Sequence, residues 1–152
     1  MSENTEAIRT PVLFLALGII ALLAVLPFGA VHTLHTRRLD AADAHLRRIS
    51  DALRSTAVAA SDVRFVLSGP GQAPQARDTT WTTSTMSPLA AHVPSVTADP
   101  WGNAYMVNVG AHFSRGAVWA LSAGPDGIIE TPFLQPVGSA TVAGDDRAAR
   151  IR

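Results

Sequence analysis

The sequence predicts an α+β fold, with one long N-terminal helix, part transmembrane and part amphipathic, packed on a small antiparallel sheet. Three observations carry that expectation. Residues 11–31 hold no ionisable group. Residues 39–67 place apolar side chains at alternating steps of three and four, as one face of a helix requires. Strand-like alternation between glycine and proline turns begins only after residue 99.

Residues 1–10 are a polar tail, and PVLFLALGIIALLAVLPFGAV, residues 11–31, follows. At 1.5 Å per residue this run reaches roughly 30 Å, the hydrocarbon thickness of a bilayer. A cleaved signal peptide is the alternative. The run is longer than the usual apolar core of such a signal, SENTEAIR before it is barely basic, and helix-forming sequence follows at once. The expectation is an uncleaved membrane helix over 11–31, with Pro27 tolerated inside it.

Leu39, Ala42, Leu46, Ile49, Leu53, Thr56, Ala60, Val63 and Leu67 then form a narrow stripe on an amphipathic helix predicted over 32–68. The other faces carry Arg37, Arg38, Asp40, Asp43, Arg47, Arg48, Asp51 and Arg54. Two alanines and a threonine make a thin coiled-coil seam, so the stripe is expected to pack on a sheet. SGPG at 68–71 ends the helix. Residues 69–98 lack clear periodicity and read as a connecting loop, with one helical turn at PLAAHV, 88–93.

The β domain is expected over 99–152. DPWGN, 99–103, reads as a tight turn, because Pro100 holds Asp99 extended and Gly102 and Asn103 accept left-handed geometry. Trp101 would plug the end of a core. A strand over about 104–109 would alternate Tyr105, Val107 and Val109 with Met106 and Asn108. GAHFSRG, 110–116, reads as a hairpin loop, AVWALSA, 117–123, as the returning strand, and GPDG, 124–127, as a turn. IIETPF supplies a short extended piece, and the C-terminus a last strand.

Charge and composition exclude several functions. Twelve acidic residues balance twelve basic ones, all arginine, so there is no nucleic-acid footprint. The chain has no cysteine, hence no disulfide, thiolate metal site or cysteine nucleophile. No G-x-S-x-G elbow is present, and nothing reads as an active site. His32 and His35 lie three apart with no acid in the same turn and suit a membrane boundary better than a metal. His45 falls off the apolar stripe and is expected in solvent; His92 and His112 fall in a helical turn and a loop. Trp81, Trp101 and Trp119 are expected as core plugs.

The order of helix, continuation, loop and sheet is the layout of type IV pilin-like proteins. Within it, DPWGNAYMV, then VWALSAGPDG and later GDD, resemble the globular domain of the major pseudopilin of type II secretion systems, over about residues 96–146. The resemblance implies a structural subunit anchored in the inner membrane by a single pass, with its C-terminal domain in the periplasm. It would be non-catalytic, with other pilin-like subunits, further copies of itself or secretion-machine components as partners. It also implies a calcium site held by the Ala123 carbonyl, the Asp126 carboxylate and Asp145 or Asp146. Calcium takes six to eight hard oxygens, which two loop segments can offer; the alternative is that Asp126 only forms a turn and Asp145–Asp146 is a solvated pair.

Two features depart from the family. No acid occurs between Glu6 and Asp40, so the docking glutamate and processing site of prepilins are missing, and the chain is expected to keep Met1 or Ser2 as its N-terminus. Arg37, Arg38, Arg47 and Arg48 outnumber Arg9 across the apolar run, which by charge count favours a cytoplasmic C-terminal domain, against the resemblance. The second functional reading is therefore a membrane-anchored binding protein whose small β domain does not polymerise.

Overall fold

Nothing in residues 6–55 stops a helix: the first glycine-proline break lies at residue 69, and α1 runs unbroken over Glu6–Ser55, through Pro27. The computed structural model describes residues 6–55, 65–83, 85–108, 118–134 and 141–151, with side chains described over 31–55, 66–81, 87–108, 118–134 and 141–151. Among the described residues no helix is long and apolar enough to cross a membrane; the side chains of the run 11–31 fall outside that description, Val31 excepted. The chain divides into two compact units, Met1–Arg37 and Arg38–Arg152, with the division inside α1. In the first, Val31 and Leu34 are exposed and Thr36 Oγ1 donates to the His32 carbonyl at 3.0 Å.

In the second unit the 3.6-residue period sets the packing. Ala42, Leu46, Ile49 and Leu53 are buried, and Arg47, Arg48 and Asp51 between them are exposed, as expected from the stripe. Leu46, Ile49 and Leu53 pack with Leu67, Tyr105, Val107, Val118 and Ala120 into one core.

Among the described residues seven strands follow: β1 (Phe65–Ser68), β2 (Gln75–Ala76), β3 (Thr85–Pro88), β4 (Met106–Asn108), β5 (Trp119–Ser122), β6 (Ile128–Ile129) and β7 (Arg147–Arg150). The main sheet has the order β3-β1-β4-β5-β7, and β2 and β6 form a separate parallel pair. The expected purely antiparallel sheet is corrected here. β1 pairs antiparallel with β4, β4 with β5 and β5 with β7, but β1 pairs parallel with β3, so the sheet is mixed.

The amphipathic helix expected to residue 68 is also shorter, because Phe65–Ser68 is a strand; Thr56, Ala60 and Val63 lie outside the described residues. FVLS satisfies a helical step at Leu67 but belongs to a two-residue period. Leu67 enters the core beneath α1, while Val66 enters a second core on the opposite sheet face.

That second core accounts for the remaining differences. Residues 69–98 are not simply a loop: they carry β2, a short helix α2 (Thr79–Thr83) and β3 before the expected turn of helix at Leu89–Ala91. Trp81 of α2 is buried against Val66, Met106, Leu121, Ile129 and Phe133, and meets the Phe133 ring edge-on at 5.0 Å. Its indole N–H donates to the Thr131 carbonyl at 3.0 Å, and Asp78 ties α2 to the same segment by accepting from Phe133 N at 2.9 Å. The main sheet is thus covered on both faces, which buries Met106 and Asn108 as completely as Val107. The expected hairpin loop 110–116, with His112, lies outside the described residues.

β7 is an edge strand closed by α1. Ser50 Oγ donates to the Arg150 carbonyl, Arg54 Nε donates to the Ile151 carbonyl, each at 2.9 Å, and Arg147 makes a two-bond pair with Asp43.

Candidate functional site

Asp99 holds the DPWGN turn together. Its Oδ1 accepts the amides of Trp101 at 3.0 Å and Asn103 at 2.7 Å, an arrangement open to a short acidic side chain at the head of a turn. Its Oδ2 accepts the Ser122 hydroxyl at 2.7 Å, from the end of β5. Asn103 completes the link by donating from Nδ2 to the Gly124 carbonyl at 2.9 Å. DPWGN and SAGPDG, far apart in the chain, are therefore one buried hydrogen-bonded unit, with Asp99, Asn103 and Ser122 all under a tenth exposed. Trp101, expected as a core plug, is half-buried and belongs to neither core; Trp119 is half-buried against the second core.

Beyond this unit the chain turns at Gly124–Gly127. Gly124 has φ +65, and a side chain there would meet the Asp145 carbonyl at 2.7 Å and its carboxyl at 3.0 Å. Only glycine allows the two segments to approach this closely. Asp126 stands exposed at the tip, its Oδ1 accepting Ile128 N at 2.8 Å. Asp145 lies within electrostatic reach of both Asp126 and Glu130. Loss of water raises its carboxyl above the usual range first, the Asp126 charge next, and the Glu130 charge adds to it. Glu130 is ion-paired with Arg77.

Asp146, next in sequence, is set to other work. Its Oδ2 accepts Glu130 N at 2.9 Å, Thr131 N at 2.7 Å and the Thr131 hydroxyl at 2.6 Å. Burial pushes this carboxyl up, against those three bonds. Its Oδ1 is buried without a partner.

Of the four residues expected at the calcium site, Asp126 and Asp145 come together beside Gly124, one carboxylate oxygen of Asp126 remaining outside the turn. Asp146 pins the Glu130–Thr131 segment, and Ala123 is buried in the second core. Among the described residues no three His, Cys, Asp or Glu side chains form a group able to hold a metal ion. A cation here would be held by Asp126, Asp145 and loop carbonyls, a donor set of hard oxygens that suits calcium in kind.

Asp99 was expected only as the extended residue before Pro100, and Glu130 and Thr131 only within a short extended piece. A signal existed for Asp99: an acid four residues before Asn103, across Pro100 and Gly102, is well placed to accept from that turn's amides. His45, expected in solvent, is half-buried and lies edge-on to Tyr105 at 6.1 Å. No family model matches this sequence, and neither a curated protein nor a solved structure matches the chain.

Proposed function

We propose that this chain is a non-catalytic, membrane-anchored structural subunit of a pilin-like assembly, with the apolar run 11–31 in the inner membrane and the β domain in the periplasm. The observation that carries the reading is α1, one helix whose first half contains the uncharged run and whose second half forms the core ridge of Leu46, Ile49 and Leu53. Support also comes from the union of DPWGN with SAGPDG through Asp99 and Asn103. In this reading Asp126 and Asp145 hold calcium, which relieves their mutual repulsion and stiffens the loop beside the turn.

Because the chain has no cysteine, single cysteines placed along 11–31 report contacts between copies directly. The full chain, expressed in a two-membrane bacterium, should remain in carbonate-washed membranes. Its C-terminal domain should be cut by protease added to spheroplasts, and oxidation should yield a ladder of crosslinked copies. A protected domain would overturn the orientation. Anchored chains that never crosslink would favour the non-polymerising binding protein, the reading to which the missing acid in the apolar run already points.

A further inference from the structure

We propose that the outer edge of β7, in the groove between α1 and residues 142–144, takes an extended segment of a partner protein in which an acidic residue alternates with apolar ones. β7 ends the main sheet on one side. Ile151 N donates to the Val118 carbonyl at 2.8 Å, so by the antiparallel alternation Ala149 and Arg147 also turn their backbone groups to β5. Ala148 and Arg150 turn theirs outward. α1 takes up one of these outward groups, the Arg150 carbonyl, which accepts from Ser50 and Arg54. The N–H and C=O of Ala148 and the N–H of Arg150 pair with nothing among the described residues. Ala148 is half-buried with its side chain packed on the second core, so what it offers to solvent is mainly this backbone.

A groove of about 510 Å³ runs along this edge, lined by Asp43 and Arg47 of α1, by Val142 and Gly144, and by Ala148 and Ala149. That volume lies in the range of sites that hold a ligand. Its walls set what the segment must carry. Arg147 is satisfied by Asp43, and Asp146 is buried on the Thr131 segment. Arg47 is exposed and pairs with no carboxylate among the described residues. Arg47 belongs to α1, over the face that Ala149 enters. Val142 is 42% exposed and adjoins Ala143, whose amide is tied to Thr131 beside the second core. Side chains of an added strand alternate between these two faces. An acid toward Arg47 is therefore flanked by apolar residues toward Val142, while main-chain bonds to Ala148 and Arg150 hold the segment.

A fluorescein-capped Thr-Val-Glu-Val-Thr amide, titrated with the full chain in maltoside detergent, tests this by anisotropy. Binding should saturate, and glutamine in place of the glutamate should weaken it about fivefold at low salt, the gap closing as salt is raised. Arg47→Gln, at an exposed position, should bind both peptides alike. Methylating alternate backbone nitrogens of the peptide blocks one of its two edges at a time. One methylated form should fail to bind and the other should bind as before, the signature of strand addition. Hydrogen exchange of the native chain should slow over residues 147–150 when the peptide is bound. Ala148→Pro, whose lost N–H faces away from β5, should keep the sheet and lose the peptide. Absence of saturable binding overturns the proposal, as does binding indifferent to the glutamate and to both methylations, or binding without protection of 147–150. Protection that grows with protein concentration in the absence of peptide would give the edge to a second copy of the chain, and the proposal would fail.

Discussion

The Ser122 hydroxyl donates to the Asp99 carboxylate at 2.7 Å, and both residues are buried. This bond closes the loop between the turn that launches β4 and the end of β5. The same hydroxyl accepts the Gly124 amide at 3.3 Å, so one oxygen links Asp99 to the following turn. Four donated hydrogen bonds, counting the side-chain amide of Asn103 at 3.4 Å, surround a single carboxylate. A buried charge is tolerable only with such company.

Ser122→Ala should therefore destabilise the domain by about 1–3 kcal/mol, because it strips the shorter of two hydrogen bonds from a buried carboxylate oxygen and leaves that oxygen only the 3.4 Å bond from the Asn103 side-chain amide. Asp99→Ala should cost more, since the turn amides lose their acceptor together. Urea unfolding of the full chain in detergent, followed by tryptophan fluorescence, measures both. Equal stability of Ser122→Ala and the native chain would show that the hydroxyl is replaced by water.

The ridge of α1 makes a second prediction. Leu46 is 1% exposed and Leu53 3%. Replacing either with alanine should cost roughly 2–5 kcal/mol, the transfer loss plus the cavity left against the sheet. Arg47→Ala, one residue away and exposed, should stay within about 0.5 kcal/mol. A comparable loss for all three would mean that helix content, and not the packed face, sets stability.

These residues also mark what could be read beforehand. Leu46, Ile49 and Leu53 were legible because a helix with one covered face leaves a period that few other structures produce. β1 was hidden by the same rule: Leu67 continues the helical steps, and only burial of Val66 on the opposite side betrays a strand. The alternation of Met106 and Asn108 with Tyr105 and Val107 showed a strand but not that both its faces are buried, because nothing local announces the second core. Its plug, Trp81, sits among threonines in a five-residue helix, too short to show a period. At the candidate site, the turn residues were legible from backbone chemistry. The partners were not, since Asp99 meets Ser122 and Asp146 meets Thr131 only after the sheet has formed.

Acidification supplies the third prediction. The Thr80 side chain holds the Asp78 carboxyl below its ordinary value, with the Phe133 and Thr80 amides adding and burial opposing. The folded state therefore favours the carboxylate. Its contribution to stability is fully present above the unfolded value near pH 4 and is lost as pH falls through the lower folded value. Asp78→Asn should unfold more easily than the native chain at neutral pH, and the gap should close on acidification below about pH 4. A gap that is constant with pH would assign the effect to shape and not to charge.

Calcium makes the last prediction. Burial raises the Asp145 carboxyl above its ordinary value, and the nearby Asp126 charge adds to the cost of ionising it. A divalent cation removes that cost, and calcium suits a loop offering carboxylates and carbonyls at relaxed distances, where magnesium demands octahedral geometry. Binding to the folded state alone, at a hundredfold excess over Kd, adds about 2.7 kcal/mol. Thermal unfolding of the full chain in detergent should therefore move upward with millimolar calcium and return with chelator. Asp126→Ala and Asp145→Ala should each abolish the rise, the first at little intrinsic cost because Asp126 is exposed. Asp146→Ala should behave differently. It removes the acceptor for Glu130 N, Thr131 N and the Thr131 hydroxyl, so it should lower the midpoint with and without calcium while leaving the calcium-dependent rise in place. A native chain indifferent to both calcium and chelator would reduce Asp126 to the turn residue that its bond to Ile128 already makes it.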